Sequence, residues 1–175
     1  MANNVYTWVH VKCTDKMVLK ELREKLTPPD GKYELNTTEL GQRFFDYGED
    51  FNPTNGDNSD NFGAKWIYVE EPEDVDDYEM SFMCTSAWNT PQLFMERIRD
   101  WCCARDMGSM VWGNFEDESI TPYGGFFYSK NKDYFQQSDE DIDYDKVWDD
   151  DEYREELDNR RIAIQDELYQ KGTEI

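Results

Sequence analysis

Residues 5–13 read VYTWVHVKC, and residues 15–26 read DKMVLKELREKL. In the first stretch β-branched and aromatic side chains alternate with a period of two, which is typical of a strand. In the second stretch Asp15 can cap a helix whose apolar residues fall on one face, namely Val18, Leu19, Leu22 and Leu26. A strand followed by a helix is therefore predicted over residues 5–26.

A similar succession follows further along the chain. Residues 64–70 and 79–88 alternate like two strands that should pair antiparallel, and the acidic turn EEPEDVDDY connects them. A helix with Pro91 at its first position, capped by Asn89 or Thr90, is then predicted to run to about residue 105. Its apolar stripe comprises Phe94, Ile98, Trp101 and Cys102.

The pattern ends with two more strands, predicted at residues 109–115 and 124–129, and residues 33–35 can form a short one. The pair Gly124 and Gly125 permits a bulge or a close backbone approach. This order of elements predicts an α+β fold, specifically a ferredoxin-like sandwich in which two helices cover one face of an antiparallel sheet. We assign this domain to residues 1–136.

Residues 46–63 are rich in Asn, Asp, Gly and Pro, and a long surface loop is expected there. Their similarity to a calcium-binding loop is superficial. No register over residues 46–60 supplies the alternating oxygen ligands, central glycine and terminal glutamate that such a loop needs. No metal or cofactor is expected.

The formal net charge of the chain is -22. Such a chain repels nucleic acid and anionic membranes, so direct binding to either is not expected, and the natural partner is a basic protein surface. Solubility alone is the alternative explanation. The four cysteines lack the spacing of a zinc or disulfide framework, and no targeting or membrane-spanning segment is recognisable, which predicts a cytoplasmic protein.

Acidic residues concentrate in the last part of the chain, where 12 of the 20 residues from 139 to 158 are Asp or Glu. Residues 137–175 are interpreted as an acidic linker, exposed over residues 138–146, and a C-terminal helix over residues 147–171. The expected apolar face of this helix comprises Tyr153, Leu157, Ile164 and Leu168. Its expected ion pairs are Asp150 with Arg154, Glu156 with Arg160, and Glu167 with Lys171.

Two motifs resemble a known family. Residues 61–66 read NFGAKW, and residues 85–91 read TSAWNTP. They are similar to the N-W-G-x-K-W and T-x-W-x-x-P patterns of small ferredoxin-like proteins encoded by phages and mobile elements, with Phe62 in place of the first tryptophan and one extra residue in the second motif. The resemblance covers about residues 3–130 and implies the fold and a phage origin but no activity. We expect Trp66 and Trp88 to pack against the following helix.

Carboxylates on alternate residues of an extended arm lie about 6.5 to 7 Å apart, near the spacing of phosphates along a nucleic-acid strand. We therefore hypothesise that the protein imitates nucleic-acid charge and inhibits a host defence nuclease, or another nucleic-acid-handling protein, in the host cytoplasm. Tyr134 is expected to add an aromatic contact with the partner. The expected partner-binding residues are Glu70, Glu71, Glu73, Asp74, Asp76, Asp77, Asp139, Glu140, Asp141, Asp143, Tyr144, Asp145, Trp148, Asp149, Asp150 and Asp151.

Two other classes of function stay open. An interaction module can bind a non-nucleic partner through a sheet edge or through the C-terminal helix. Catalysis is not expected, because the chain has one histidine, His10, and lacks a nucleophile motif and a phosphate-binding glycine loop. Chemistry that uses carboxylates alone is the remaining enzymatic alternative.

Overall fold

The computed structural model describes residues 3–44 and 55–174, except for the side chains of residues 55–57. Its strands are β1 (Asn4–Lys12), β2 (Glu34–Asn36), β3 (Ile67–Glu70), β4 (Glu73–Asp74), β5 (Glu79–Ala87), β6 (Met110–Asp117), β7 (Tyr123–Ser129) and β8 (Asp133–Ser138). Its helices are α1 (Lys16–Leu26), α2 (Thr37–Phe44), α3 (Asn55–Phe62), α4 (Gln92–Cys103), α5 (Tyr144–Asp149) and α6 (Asp151–Thr173). The predicted α+β class is confirmed.

The strands of the described residues form one antiparallel sheet in the order β2-β3-β5-β1-β6-β7-β8, and β4 pairs with β5 beside this row. β1 is central, because its nine residues pair with β5 on one side and with β6 on the other. The predicted antiparallel pairing of β3 with β5 is confirmed, and β6 and β7, predicted as two further strands, also pair antiparallel.

One face of the sheet, which we call the front face, forms the main core with α1 and α4. The alternation predicted for β1 is confirmed, since Val5, Val9 and Val11 are buried in this core. The intervening residues of β1, on what we call the back face, are half-buried.

Helix α1 has the predicted bounds and cap, with the Asp15 carboxylate accepting a hydrogen bond of 2.8 Å from the backbone N–H of Met17. Its four predicted apolar residues are all buried. Each such side chain stabilises the fold by about 1.5–3 kcal/mol.

Helix α4 buries Phe94, Ile98 and Cys102 as predicted, whereas Trp101 is half-buried at the margin of the core. The capping prediction is wrong: the helix begins at Gln92, and Pro91 occupies the cap position without a side-chain hydrogen bond. The preceding residues are held in a turn instead. The Ser86 hydroxyl donates to the Asn89 carbonyl, and the Gln92 N–H donates to the Thr90 carbonyl.

The expectation that Trp88 packs in the core is also wrong. Its φ of 70° is in the left-handed region and interrupts the alternation of β5, and its side chain is 56% exposed beneath the Lys65 ammonium, 4.5 Å from the ring centre. Trp66 is half-buried and packs against the ring of Tyr68 at 5.3 Å on the back face, so its expected packing against the following helix is wrong too.

Two helices, α2 and α3, form in segments for which no helix was predicted. Residues 55–62 of the expected loop form α3, whose Phe62 is fully buried and packs against Phe94, with ring centres 5.8 Å apart. Residues 46–54 of that loop, and most of the rejected calcium site, lie outside the described residues. Helix α2 begins with a reciprocal cap, in which the Glu39 N–H donates to Asn36 and the Asn36 N–H donates to Glu39, at 3.0 and 2.9 Å.

The acidic tail is part of the packed structure. β8 continues the sheet across residue 136, the end assigned to the first domain. α6 then covers part of the back face, where its Leu168 is buried with Trp112 and Phe127. The predicted apolar face of this helix is confirmed, because Leu157 and Leu168 are buried and Tyr153 and Ile164 are half-buried.

The exposed linker predicted for residues 138–146 is wrong in part. Ile142 is buried, and residues 144–149 form α5, because Ile142 and Val147 pack with Ile120 and Leu157 in a small second cluster. Asp150 is extended, with φ of -131° and ψ of 96°, so it separates α5 from α6. α6 therefore starts four residues later than predicted.

A polar network also fixes α6 to the sheet. Glu116 of β6 is buried, and its carboxylate pairs with Arg154 at 3.0 Å and with Arg161. Both arginines also pair with Asp158, at 3.5 and 3.2 Å. The predicted pair of Asp150 with Arg154 is thus replaced, because Glu116 offers a less solvated partner, whereas the pair of Glu156 with Arg160 is confirmed at 2.5 Å.

Close approach of α6 explains one glycine. A Cβ added at Gly125 would lie 3.2 Å from the backbone of Gln165, and the Gln165 side chain accepts a hydrogen bond of 2.6 Å from Asn114. The predicted close backbone approach at Gly124 and Gly125 is therefore confirmed. Along the described residues, no helix combines the length and apolar character needed to cross a bilayer.

Candidate partner-binding surface

The two acidic groups predicted to bind a partner lie at opposite ends of the sheet. The turn of residues 70–78 leads into β5 at Glu79, which pairs with Lys12 at the end of β1. The tail packs against Ile120, just beyond Asp117, which pairs with Val5 near the start of β1. Since β1 has nine residues, these ends are about 26 Å apart. The structure therefore does not bring the two groups together.

The tail residues do come together, on α5, on the first turns of α6 and on the segment before them. We call residues 139–156 the acidic corner. Of the predicted partner-binding residues in it, Glu140 is half-buried and the others are exposed. Sequence reasoning omitted three further exposed acids of this corner, Glu152, Glu155 and Glu156, although the composition already indicated them.

Three of the predicted carboxylates mainly hold the corner in shape. Asp143 caps α5 by accepting from the Lys146 N–H, and Asp150 caps α6 by accepting from the Tyr153 N–H at 3.1 Å. Glu140 accepts from the Tyr123 hydroxyl at 2.8 Å and pairs with Arg160 at 3.0 Å. Burial, and then this bond to Glu140, raise the pKa of Tyr123.

The remaining carboxylates are available to a partner. Within the described part of the chain, no hydrogen bond or ion pair engages the side chains of Asp141, Asp145, Asp149, Asp151 and Glu152. The corner contains two cations: Lys146, 5.8 Å from the ring centre of Tyr153, and Arg154, which pairs with Glu116 and Asp158. Most of the negative charge of the corner is therefore uncompensated, and its electrostatic field is strong.

An aromatic side chain stands in the middle of this field. Trp148 is 75% exposed, and Tyr144 on the same helix is 45% exposed. Between them in sequence, Val147 is buried and fixes α5 to the second cluster. An exposed tryptophan among carboxylates, on a helix anchored to the core, has the character of a binding hot spot.

The acidic turn has a different environment. Asp74 pairs with Arg23 of α1 at 2.9 Å, and Asp76 accepts from the Tyr78 N–H at 2.7 Å. A cleft between α1 and the turn is lined by both signs of charge, with Lys16, Lys20 and Arg23 opposite Asp74, Asp76 and Asp77. Much of this negative charge is therefore compensated by the protein itself.

Glu70, Glu71 and Glu73 face the other side and line a concavity of about 300 Å³ on the back face, together with Trp8, His10 and Met83. His10 lies 3.2 Å from Glu79 and stacks on Trp112, with ring centres 5.2 Å apart. Among the described residues, no three His, Cys, Asp or Glu side chains are grouped as metal ligands.

Comparison of the chain with family models, with curated proteins and with solved structures gives no match.

Proposed function

We propose that the acidic corner binds the basic nucleic-acid-binding surface of another protein and blocks it by imitating nucleic-acid charge. Trp148, exposed among unpaired carboxylates on a helix that Val147 fixes to the second cluster, carries this proposal. Because α5 is anchored by the buried side chain of Val147, with Ile142 buried just before the helix, less conformational entropy is lost on binding than an extended arm would lose.

The carboxylates of the acidic corner are not arranged as they would be on an extended arm. Residues 144–149 are helical, so alternate residues do not lie in one line. Acids three or four residues apart on a helix have Cβ atoms about 5–6 Å apart, which still gives a dense row of charge.

The partner we propose is a host defence nuclease or another host protein that handles nucleic acid, met in the host cytoplasm. The resemblance of residues 61–66 and 85–91 to phage-encoded proteins supports this choice. We include in the proposal a ferredoxin-like assignment of the core, supported by the strand order β3-β5-β1-β6 with α1 and α4 on one face. The protein acts by binding, without catalysis.

The alternative that α6 itself offers an apolar binding face is less well supported, because Leu157 and Leu168 are buried against the rest of the chain. The predicted residues of the acidic turn contribute less to binding in this proposal. Asp74 is paired with Arg23, and Asp76 and Asp77 face Lys16 and Lys20.

The test compares two variants with the same change of charge. The corner variant carries D145N, D149N, D151N and E152Q, and the control carries E70Q, E71Q, E73Q and D77N. Each is used to capture proteins from a host lysate at about 0.1 M and about 1 M salt, where the Debye length falls from about 10 Å to about 3 Å.

We expect the wild-type chain and the control to capture nucleic-acid-binding proteins that high salt or added duplex DNA releases, and the corner variant to capture far fewer. The chain alone should not bind the duplex. Equal capture by both variants, or capture that salt does not change, would contradict the proposal.

A further inference from the structure

α6 covers only one half of the back face. On that half Trp112 and Phe127 are buried beneath Leu168. Away from the strand ends, the back-facing side chains of β1, β3 and β5 are half-buried or exposed in the described structure, and we call them the open face. They are Tyr6, Trp8, His10, Tyr68, Ser81, Met83 and Thr85.

The open face is continuous across three strands. Thr85 of β5 lies between Tyr6 and Tyr68 in register, and Met83 pairs with Trp8. Trp66 extends the surface, with its ring 5.3 Å from that of Tyr68. A largely aromatic strip thus runs across the sheet. Its four aromatic side chains that reach solvent are Tyr6, Trp8, Trp66 and Tyr68.

The border of this strip is mostly acidic. Glu70, Glu71 and Glu73 line the concavity beside Trp8 and Met83, and Glu79 lies next to His10. The cations beside the strip are Lys12 at the end of β1, Lys32, which pairs with Glu39, and Arg161, which pairs with Glu116. The charge of the border therefore fits a cationic occupant with an apolar face.

The protein's own tail shows how such an occupant can bind. The Arg161 guanidinium of α6 lies 4.3 Å from the centre of the Trp8 ring while it pairs with Glu116. Leu168 supplies the apolar contact of the same helix. Arginine over an aromatic ring, with a carboxylate beside it, is the combination that Tyr68 and the nearby glutamates offer on the open face, whereas Arg161 already lies over the Trp8 ring.

The space also suits a helix. Neighbouring strands lie about 4.8 Å apart, so β1, β5 and β3 span about 10 Å between their outer axes. A helix has a diameter of about 10 Å, and packed helices lie about 8–10 Å apart, so one helix fits beside α6.

We propose that the open face binds an amphipathic helix of a partner protein, whose apolar side packs on Trp8, Met83 and Tyr68 and whose lysines or arginines meet Glu70, Glu71 and Glu73. This interface is separate from the acidic corner and does not depend on the function proposed for it. It uses the sheet face rather than a sheet edge.

The test uses isotope-labelled full-length protein and backbone amide chemical shifts. The probe is a synthetic amphipathic peptide of about 18 residues, long enough to form a helix of about 27 Å, with leucines on one face and lysines and arginines on the other. A matched peptide carries glutamate at every basic position. Single-stranded RNA and the protein's own self-association are measured in parallel.

We expect the basic peptide to shift the amides of Tyr6, Trp8, Tyr68 and Met83, and the acidic peptide not to do so. M83R should weaken binding at least about tenfold, because it places a cation against a cationic ligand. I162R, on the outer side of α6 where Ile162 is 42% exposed, should change it less than about twofold. If M83R disturbs amides far from the open face, Y68A replaces it, with an expected loss of about threefold or more.

Shifts confined to the acidic corner would overturn the proposal. So would equal binding of the two peptides, or RNA or self-association giving the shifts expected of the basic peptide.

Discussion

The guanidinium of Arg161 lies 4.3 Å from the centre of the Trp8 ring, so the last helix is fastened across the sheet to the strand at its centre. The same guanidinium pairs with Glu116, and both side chains are close to nine-tenths buried, with 11% and 12% exposed. Two arginines of the acidic tail, Arg154 and Arg161, thus hold it against the sheet. They also fix the position of the acidic corner.

Replacing Glu116 by Gln should destabilise the protein by about 2–4 kcal/mol, because two guanidinium groups then lose their buried counter-charge. Chemical denaturation of the variant measures this change in the free energy of unfolding. E156Q is the matched control. Glu156 is 58% exposed in its pair with Arg160, so the control should lose less than about 0.5 kcal/mol. Equal losses would show that burial of the network does not matter.

Replacing Leu168 by Ala should cost about 2–4 kcal/mol through the cavity left beside Trp112 and Phe127. The environment of Trp112 should change as well, which near-ultraviolet circular dichroism reports. I162A, on the exposed side of the same helix, should cost less than about 1 kcal/mol. A chain that ends at residue 138 should expose Trp112 and bind a hydrophobic dye; a stable, dye-free truncated chain would contradict this packing.

Replacing Gly125 by Ala should destabilise the fold by about 1–3 kcal/mol, because the new methyl group approaches the backbone of Gln165 to 3.2 Å and α6 must move outward. Thermal unfolding measures the effect. Q136A, at the β8 position paired with Gly125, changes an exposed side chain and should have little influence. An unchanged melting temperature in G125A would mean that α6 can shift without cost.

The contribution of Asp106 should depend on pH. Burial alone raises the pKa of this carboxyl, but hydrogen bonds from the Thr14 hydroxyl and from the N–H groups of Asp15, Gly108 and Thr14 outweigh it and lower the pKa to about 2. A depressed carboxyl pKa stabilises the folded state above the unfolded value near 3.8, and this stabilisation is lost as pH falls through 2.

D106N should therefore be less stable than the wild-type protein by about 1–2 kcal/mol at neutral pH, and the difference should shrink between about pH 4 and pH 2. Denaturant titrations at several pH values measure it. D30N, at an exposed turn, is the control, and a difference that stays constant with pH would contradict this account.

The cysteines should differ in reactivity. Burial raises the pKa of Cys84 to about 12, whereas Cys103 is half-buried, with its pKa raised to a smaller extent by burial. A maleimide should label Cys103 first in the native protein and reach Cys84 only on unfolding, as mass spectrometry of peptides can show. Rapid labelling of Cys84 would contradict the packing of β5.

The elements that could be predicted are those with a local signal. The alternation of residues 5–13 and the apolar stripes of α1 and α4 follow from the period of the backbone, and the predicted bounds lie within two residues of the observed ones. The sequence also contains a local indication of α2, because Asn36 and Glu39 have the spacing of a reciprocal helix cap. β8 has a weaker one, because Tyr134 and Phe135 serve opposite faces of the sheet.

What could not be predicted depends on residues far apart in sequence. The composition located the acidic corner, but its rigidity comes from Ile142 and Val147 meeting Ile120. Arg154 pairs with Glu116, 38 positions away, and not with Asp150, the neighbour predicted from helical spacing. No pattern within a single helix or strand contains such contacts.

α6 runs the length of the back face and ends where the Lys132 ammonium donates to the carbonyls of Gly172 and Glu174, at 3.0 and 2.6 Å. The last described residues therefore sit beside the β7–β8 turn, at the end of the molecule remote from Trp148, whereas the first strand starts at the same end as Ile120. Immobilising the protein through a linker after residue 175 would therefore leave Trp148 and the carboxylates of the acidic corner accessible to a partner. A linker placed before residue 1 would hold the acidic corner close to the solid support and hinder binding.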